Sequence, residues 1–150
     1  MAAEIAFADD EADVRAGFAL MRELRPHLTS EEEFVARWRR QSAASYRLLM
    51  LREDGQSAAL AGFRVQENLA HGRHLYVDDL VTRADRRGAG HGGALMDRLK
   101  QEADALSCAK VLLDTPMSNF LGQRFYFREG LLATALRFTF ERPAPQPSSR

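Results

Sequence analysis

Apolar residues recur along this chain at two spacings, and the switches between them lay out a series of strands and helices. Residues 4–8 read as a short strand. Asp9 or Asp10 can then cap an amphipathic helix that gathers Val14, Phe18, Leu20, Met21 and Leu24 and ends at Pro26. Ser30 with Glu33 three residues later forms a capping-box pattern and predicts a second helix, which buries Phe34, Val35 and Trp38 and exposes Arg37, Arg39 and Arg40. Apolar runs at 46–51 and 58–65, joined by Glu53-Asp54-Gly55-Gln56, predict an antiparallel hairpin. The strongest strand pattern covers 74–82. A helix over about 90–106 follows, burying Leu95, Met96 and Leu99, and then come a strand at 111–113, a short helix at 119–129 and a last strand at 131–141.

This order gives a mixed α/β (α+β) architecture whose sheet has both antiparallel and parallel neighbours. With 150 residues, 45% of them hydrophobic, the chain suits a single domain, expected over 1–142. The Pro-rich polar residues 143–150 are expected to be a disordered tail. Lys and Arg number 21 and Asp and Glu also 21, so no global field favours nucleic acid or an anionic membrane, and recognition must come from local patches. The two arginine-bearing helices near the amino terminus offer one such patch for a protein or a nucleic acid, and the zero net charge counts against the latter. Cys108 is the single cysteine, which excludes an internal disulfide and a multi-cysteine zinc site. No histidine pair has helical metal-ligand spacing, so no metal is expected. The first residues are acidic and lack a basic and then apolar leader pattern, and there is no long apolar run; a cytoplasmic location is the expectation.

The chemistry-bearing stretch is Arg86-Arg87-Gly88-Ala89-Gly90-His91-Gly92-Gly93, set between the strongest strand and the helix after it. Glycines tolerate positive φ and let a ligand come close to the main chain, so several N–H groups can converge on one anion. The opening helix adds unpartnered N–H groups and the positive end of its dipole. Arg83, Arg86 and Arg87 bring cationic charge, and the sum favours a phosphate-bearing ligand. Taken alone, the same glycines also suit a plain strand-to-helix turn. A P-loop is excluded because Gly93 is followed by Ala94 rather than by Lys and Ser or Thr. A dinucleotide fingerprint fits poorly, because a hairpin precedes the motif and Asp114 lies too far on.

On three elements in this order the chain resembles the GNAT N-acetyltransferase superfamily, over about residues 58–141. They are Leu75–Thr82 as the family's fourth strand, Arg87-Gly88-Ala89-Gly90-His91-Gly92 as its pyrophosphate motif, and Asn119 followed by Phe125-Tyr126 and Gly130. Gly122 stands where the family often has alanine, and His91 where it usually has a small aliphatic residue. The resemblance implies a central mixed, mostly antiparallel sheet flanked by about four helices. It also implies acetyl-CoA as co-substrate, held by Arg87, Gly88, Ala89, Gly90, His91, Gly92 and Gly93 with Asn119, while Val81 and Thr82 guide the pantetheine arm. The main-chain N–H near Leu80 would bind the thioester oxygen, and Tyr126 would protonate the departing sulfur. The implied activity is direct transfer of an acetyl group to a primary amine of a small molecule or a peptide lysine; the alternative is a coenzyme-binding module without turnover. Relatives are commonly dimers, so a homodimer is compatible with the resemblance.

Residue chemistry adds to this. A phenol of pKa about 10 stays protonated at neutral pH, as a general acid must. Tyr126 lies between Phe125 and Phe127, and three consecutive aromatics on a helix cannot all face one core. Asp78 and Asp79 interrupt an apolar strand, and strict alternation sends them to opposite faces. Asp78, sharing a face with Leu80 and Thr82, is the expected base for the amine; Asp79 would attract a cationic acceptor or pair with an arginine. The residues alone leave open that both are solvent-facing or salt-bridged. His74 is expected to be a surface or satisfied core histidine rather than part of a proton path, and Cys108 a small buried residue.

Overall fold

Each cap read from the pattern finds its donor in the computed structural model, which describes residues 3–145. Asp10 accepts from the Asp13 N–H at 2.8 Å and starts α1 (Glu11–Ala16). Ser30 accepts from the Glu33 N–H at 3.1 Å and starts α3 (Glu31–Ser42). The Glu33 carboxylate turns outward to Thr29 Oγ1 at 2.7 Å instead of closing the box. Between these caps the single helix expected from 10 to 24 is two, because Gly17 breaks it: α2 (Phe18–Leu24) begins afresh there. A Cβ on Gly17 would lie 3.0 Å from Met50 Cε and 3.4 Å from Leu60, so the chain runs close against the sheet where the second helix starts.

Strands β1 (Ala3–Phe7), β2 (Arg47–Glu53), β3 (Gln56–Asn68), β4 (Gly72–Thr82) and β5 (Lys110–Leu113) form one sheet in the order β1-β2-β3-β4-β5. The first four are antiparallel neighbours and β4–β5 is parallel, joined through α4 (His91–Ala105). The β2–β3 turn places Asp54 and Gly55 at φ of 53° and 78°, the left-handed pair that matches the twist of a two-residue hairpin. One face of the sheet packs Leu48, Met50, Leu60 and Val81 against Val14, Met21 and Phe34 of the first three helices. On the other, Leu95, Met96 and Leu99 of α4 are fully buried, as the apolar spacing predicts. Among the described residues no helix is long and apolar enough to cross a membrane.

Contacts divide the chain into two compact units, one ending at Asp114 and one beginning at Thr115. The second contains α5 (Phe120–Arg128), capped by Asn119 and closed by Glu129. The strand expected at 131–141 is not formed. Among the described residues this segment has no regular secondary structure and is no member of the sheet, and Leu132, Leu136, Phe138 and Phe140 are exposed. Alternation supplies a strand's faces but not its ladder, which takes a second segment to form. Residues 146–150 of the expected tail lie outside the described residues.

Candidate active site

β4 is the centre of the site, and its register with β3 sets the chemistry. Gly62 faces Asp79 and Phe63 faces Val77, so Asp78 is an extra residue and β4 bulges there. Alternation is thereby reset. Asp78 lies on the side of Tyr76 and Arg64, and Asp79, opposite Gly62, lies on that side too. The expectation of opposite faces is corrected: both carboxylates share the face covered by α1–α3. Leu80 and Thr82, expected beside Asp78, fall on the other face, and Val81 enters the helix-side core.

Neither carboxylate is free. Arg64 holds Asp78 through two parallel bonds, Nε to Oδ2 at 2.8 Å and Nη2 to Oδ1 at 2.7 Å, the fork geometry of the strongest arginine–carboxylate pairs. Arg25, just past the end of α2, donates from Nε to Asp79 Oδ1 at 2.9 Å and from Nη2 to the Asp78 carbonyl at 2.6 Å. Tyr46 donates its hydroxyl to Asp79 Oδ2 at 2.8 Å. Burial, and then the charge of Asp79, raise the Tyr46 phenol well above its ordinary range, so it remains a donor. Gly62 makes room for this contact, since a Cβ there would lie 1.9 Å from the Tyr46 oxygen. Beside the group is a cavity of about 220 Å³ bounded by Arg25, His27, Phe34, Trp38, Tyr46 and Asp79. Arg25, Tyr46 and Arg64 are site residues that the local sequence pattern did not single out, because their partners are distant in the chain.

β5 accompanies β4 only as far as the pair Val77 and Leu113. From Asp78 to Thr82, which includes Leu80 and Val81, the edge of β4 on that side has no strand beside it among the described residues. This open edge leads into the glycine turn. Gly88 and Gly90 both have φ of 85°, a conformation that side chains resist, and a Cβ on either would meet open space. Gly90 is the N-cap of α4 and offers no capping side chain. The first N–H groups of that helix, from His91, Gly92 and Gly93, therefore have no side chain of the N-cap to bind them. Arg87 and Ala89 are exposed. The expected mobile cations reduce to Arg87: Arg83 is engaged by Asp85 at 2.6 Å and Arg86 by Glu53 at 2.6 Å, while no ion pair is found for Arg87 among the described residues. The arrangement fits a diphosphate on the turn and an extended chain along the edge of β4.

The second unit holds the other two expected residues. Asn119 caps α5, accepting from the Gly122 N–H at 3.1 Å while its amide donates to Thr115 Oγ1 at 2.8 Å. It also accounts for Gly122, because a Cβ there would lie 2.2 Å from Asn119 Nδ2. Tyr126 is half-buried and edge-on to Phe125, with ring centres 5.4 Å apart, whereas Phe127 is exposed. Burial raises the Tyr126 phenol above its ordinary value of 10.0, which keeps it protonated. His74 is a satisfied core histidine, buried and with Nδ1 2.9 Å from the Gly72 carbonyl.

A family model described as the acetyltransferase (GNAT) family matches residues 13–130. The uncharacterized N-acetyltransferase YhdJ of Bacillus subtilis (strain 168) is 30% identical over 109 residues, covering 73% of this chain and 77% of that protein. The crystal structure of ribosomal-protein-alanine N-acetyltransferase from Brucella melitensis biovar Abortus 2308 has the same fold, with a TM-score of 0.79, 23% identity and coverage of 95% of this chain and 100% of that one. Aminoglycoside N-acetyltransferase AAC(6′)-Iy, solved with CoA, gives 0.83 at 14% identity, covering 94% of this chain and 95% of that one. The match of the family model spans both the glycine turn and the helix of Tyr126: the chain belongs to the GNAT acetyltransferase family and is an acetyl-CoA-dependent acetyltransferase.

Proposed function

We propose that this acetyltransferase acts on a primary amine of a small molecule or of a peptide lysine, which attacks the acetyl thioester directly. Acetyl-CoA supplies the activated acetyl group. In this reading the turn from Arg87 to Gly93 receives the diphosphate through main-chain N–H groups, Arg87 adds a cation, and Asn119 contributes from its cap. Val81 and Thr82 align the pantetheine arm along the open edge of β4, and the N–H near Leu80 receives the thioester oxygen. A donor preset for the charge that develops there is of the kind worth about 3 kcal/mol of barrier.

Asp78 is the proposed acceptor of the amine's proton, through water because Arg64 already occupies both of its oxygens. Asp79, whose oxygens accept from Arg25 and Tyr46, is the proposed contact for the acceptor's amine, a short-range one because Arg25 balances its charge. Tyr126 is the proposed donor to the leaving sulfur, a role that its raised phenol pKa suits because the proton stays in place at neutral pH. The observation carrying the reading is the edge of β4 from Asp78 to Thr82, which has no strand beside it on the β5 side among the described residues, followed by the glycine turn without side chains at Gly88 and Gly90. The acceptors named for the two solved relatives, an alanine of a ribosomal protein and an aminoglycoside, bracket the classes to test. An acceptor panel with acetyl-CoA and free-thiol detection tests the reading. Release of thiol with at least one amine is expected; coenzyme binding without release on any amine would favour a binding module.

A further inference from the structure

The turn that receives the diphosphate is tied down by an acid from outside it. Glu53, the last residue of β2, is nearly buried, with its side chain 12% exposed. Its Oε1 lies 2.6 Å from Arg86 Nε, and Arg86 Nη2 donates to Oε2 at 2.7 Å. The same Oε2 lies 3.2 Å from Nε2 of the buried His91, near enough to pair with a protonated ring though not aligned as a hydrogen bond. Arg86 ends the 3-10 turn Ala84–Arg86 and His91 opens α4, so one carboxylate reaches both ends of the segment 87–90. We propose that Glu53 is a positioning residue for the coenzyme turn, clamping Arg86 before it and His91 after it so that the glycine backbone between them is preset for a diphosphate. The proposal rests on the assignment of that turn to coenzyme A.

Three observations support a clamp over an incidental ion pair. The segment contains Gly88 and Gly90, both at φ of 85°, residues that lose the most freedom when ordered; holding the flanks moves that cost from binding to folding. Glu53 is itself fixed, laddered to Ala3 on one side and to Gln56 on the other. The imidazole, where the resembled family has a small aliphatic residue, is explained by an acid waiting for it on β2. Arg86 holds the Glu53 carboxyl below the ordinary carboxylate range, so the acid is charged at neutral pH.

The sign of the effect separates this role from a purely electrostatic one. An anion beside a diphosphate site repels the ligand, so deleting an incidental carboxylate should tighten binding. Deleting a clamp should weaken it. Calorimetric titration of Glu53→Ala with CoA is expected to give about tenfold weaker affinity, the order of one residue's ordering transferred to the complex. Pantetheine, which lacks the diphosphate, should bind within about twofold of wild type by the same argument. The KM for acetyl-CoA should rise in step while kcat at saturation stays within about twofold, and Glu53→Gln, which keeps an acceptor, should fall between. Adding His91→Val to Glu53→Ala should cost nothing further, because both break one clamp. Equal or tighter CoA affinity in folded Glu53→Ala overturns the proposal. If that variant does not fold, His91→Val decides, with weaker CoA binding supporting the clamp and unchanged binding refuting it. Wild type that binds no CoA removes the turn assignment and the clamp together; wild type that binds while the variants match it removes only the clamp.

Discussion

The two halves of β4 differ in almost everything except their backbone direction. From His74 to Val77 the strand is flanked by β3 and β5, and His74, Leu75 and Val77 are buried. From Asp78 to Thr82 it keeps β3 but has no β5 residue opposite, and it carries two carboxylates held by Arg64, Arg25 and Tyr46. The bulge at Asp78 is the boundary. One strand is here an interior element for half its length and an open edge for the rest, with an extra residue reorienting it at the changeover. Disturbing the enclosed half should therefore cost stability, and disturbing the open half and its chemistry should cost turnover.

The largest effect is expected where reaction at the open half draws on a proton donor. Tyr126→Phe should lower kcat by about 10³-fold, within the range for loss of a general acid, with CoA affinity nearly unchanged. Because burial raises this phenol, any alkaline fall of wild-type kcat from its ionisation should have its midpoint above pH 10.0. Steady-state kinetics against pH checks both statements, and unchanged turnover would remove Tyr126 from the mechanism. On the enclosed half, Leu75→Ala removes a fully buried side chain and should cost about 3 kcal/mol, read as a lower thermal midpoint, with kcat of the folded protein preserved. A catalytic loss there without destabilisation would break the division between the halves.

Asp78→Asn comes next, with kcat down by about a hundredfold and the loss partly relieved at high pH, where less of the amine is protonated. An equal loss in CoA affinity would mean that the residue only shapes the strand. The smallest effect is at the junction itself. Gly62→Ala forces a Cβ to within 1.9 Å of the Tyr46 oxygen and must displace it from Asp79, at a cost of about 1–3 kcal/mol in chemical denaturation. A neutral result would show that the Tyr46–Asp79 bond does not hold the junction.

How much of this could be read along the chain follows the range of the forces involved. The cap at Asp9 or Asp10, the cap at Ser30, the turn over Glu53-Asp54-Gly55-Gln56 and the glycine turn before α4 are decided by neighbours a few residues away, and each was legible. The break at Gly17 was not, since the apolar spacing runs on across it and only the fold brings that glycine against Met50 and Leu60 of the sheet. The bulge at Asp78 depends on β3, so alternation counted along β4 alone misplaced Asp79 and Leu80. The arginines that hold the two aspartates come from α2's end and from β3. Residues 131–141 carry a strand's alternation as plainly as β4 does, yet form none, since pairing belongs to two segments and not to one.

Whether the exposed backbone at the glycine turn receives coenzyme A is measured directly by calorimetric titration of wild type beside Gly90→Val. Valine at a φ of 85° cannot keep the turn's shape and places methyl groups where the ligand must approach. Coenzyme binding at the turn requires saturable heat for wild type with CoA and affinity at least about tenfold weaker for Gly90→Val, comparable to losing one well-formed charged hydrogen bond. Heat of equal strength from both proteins, or none from wild type, would contradict it.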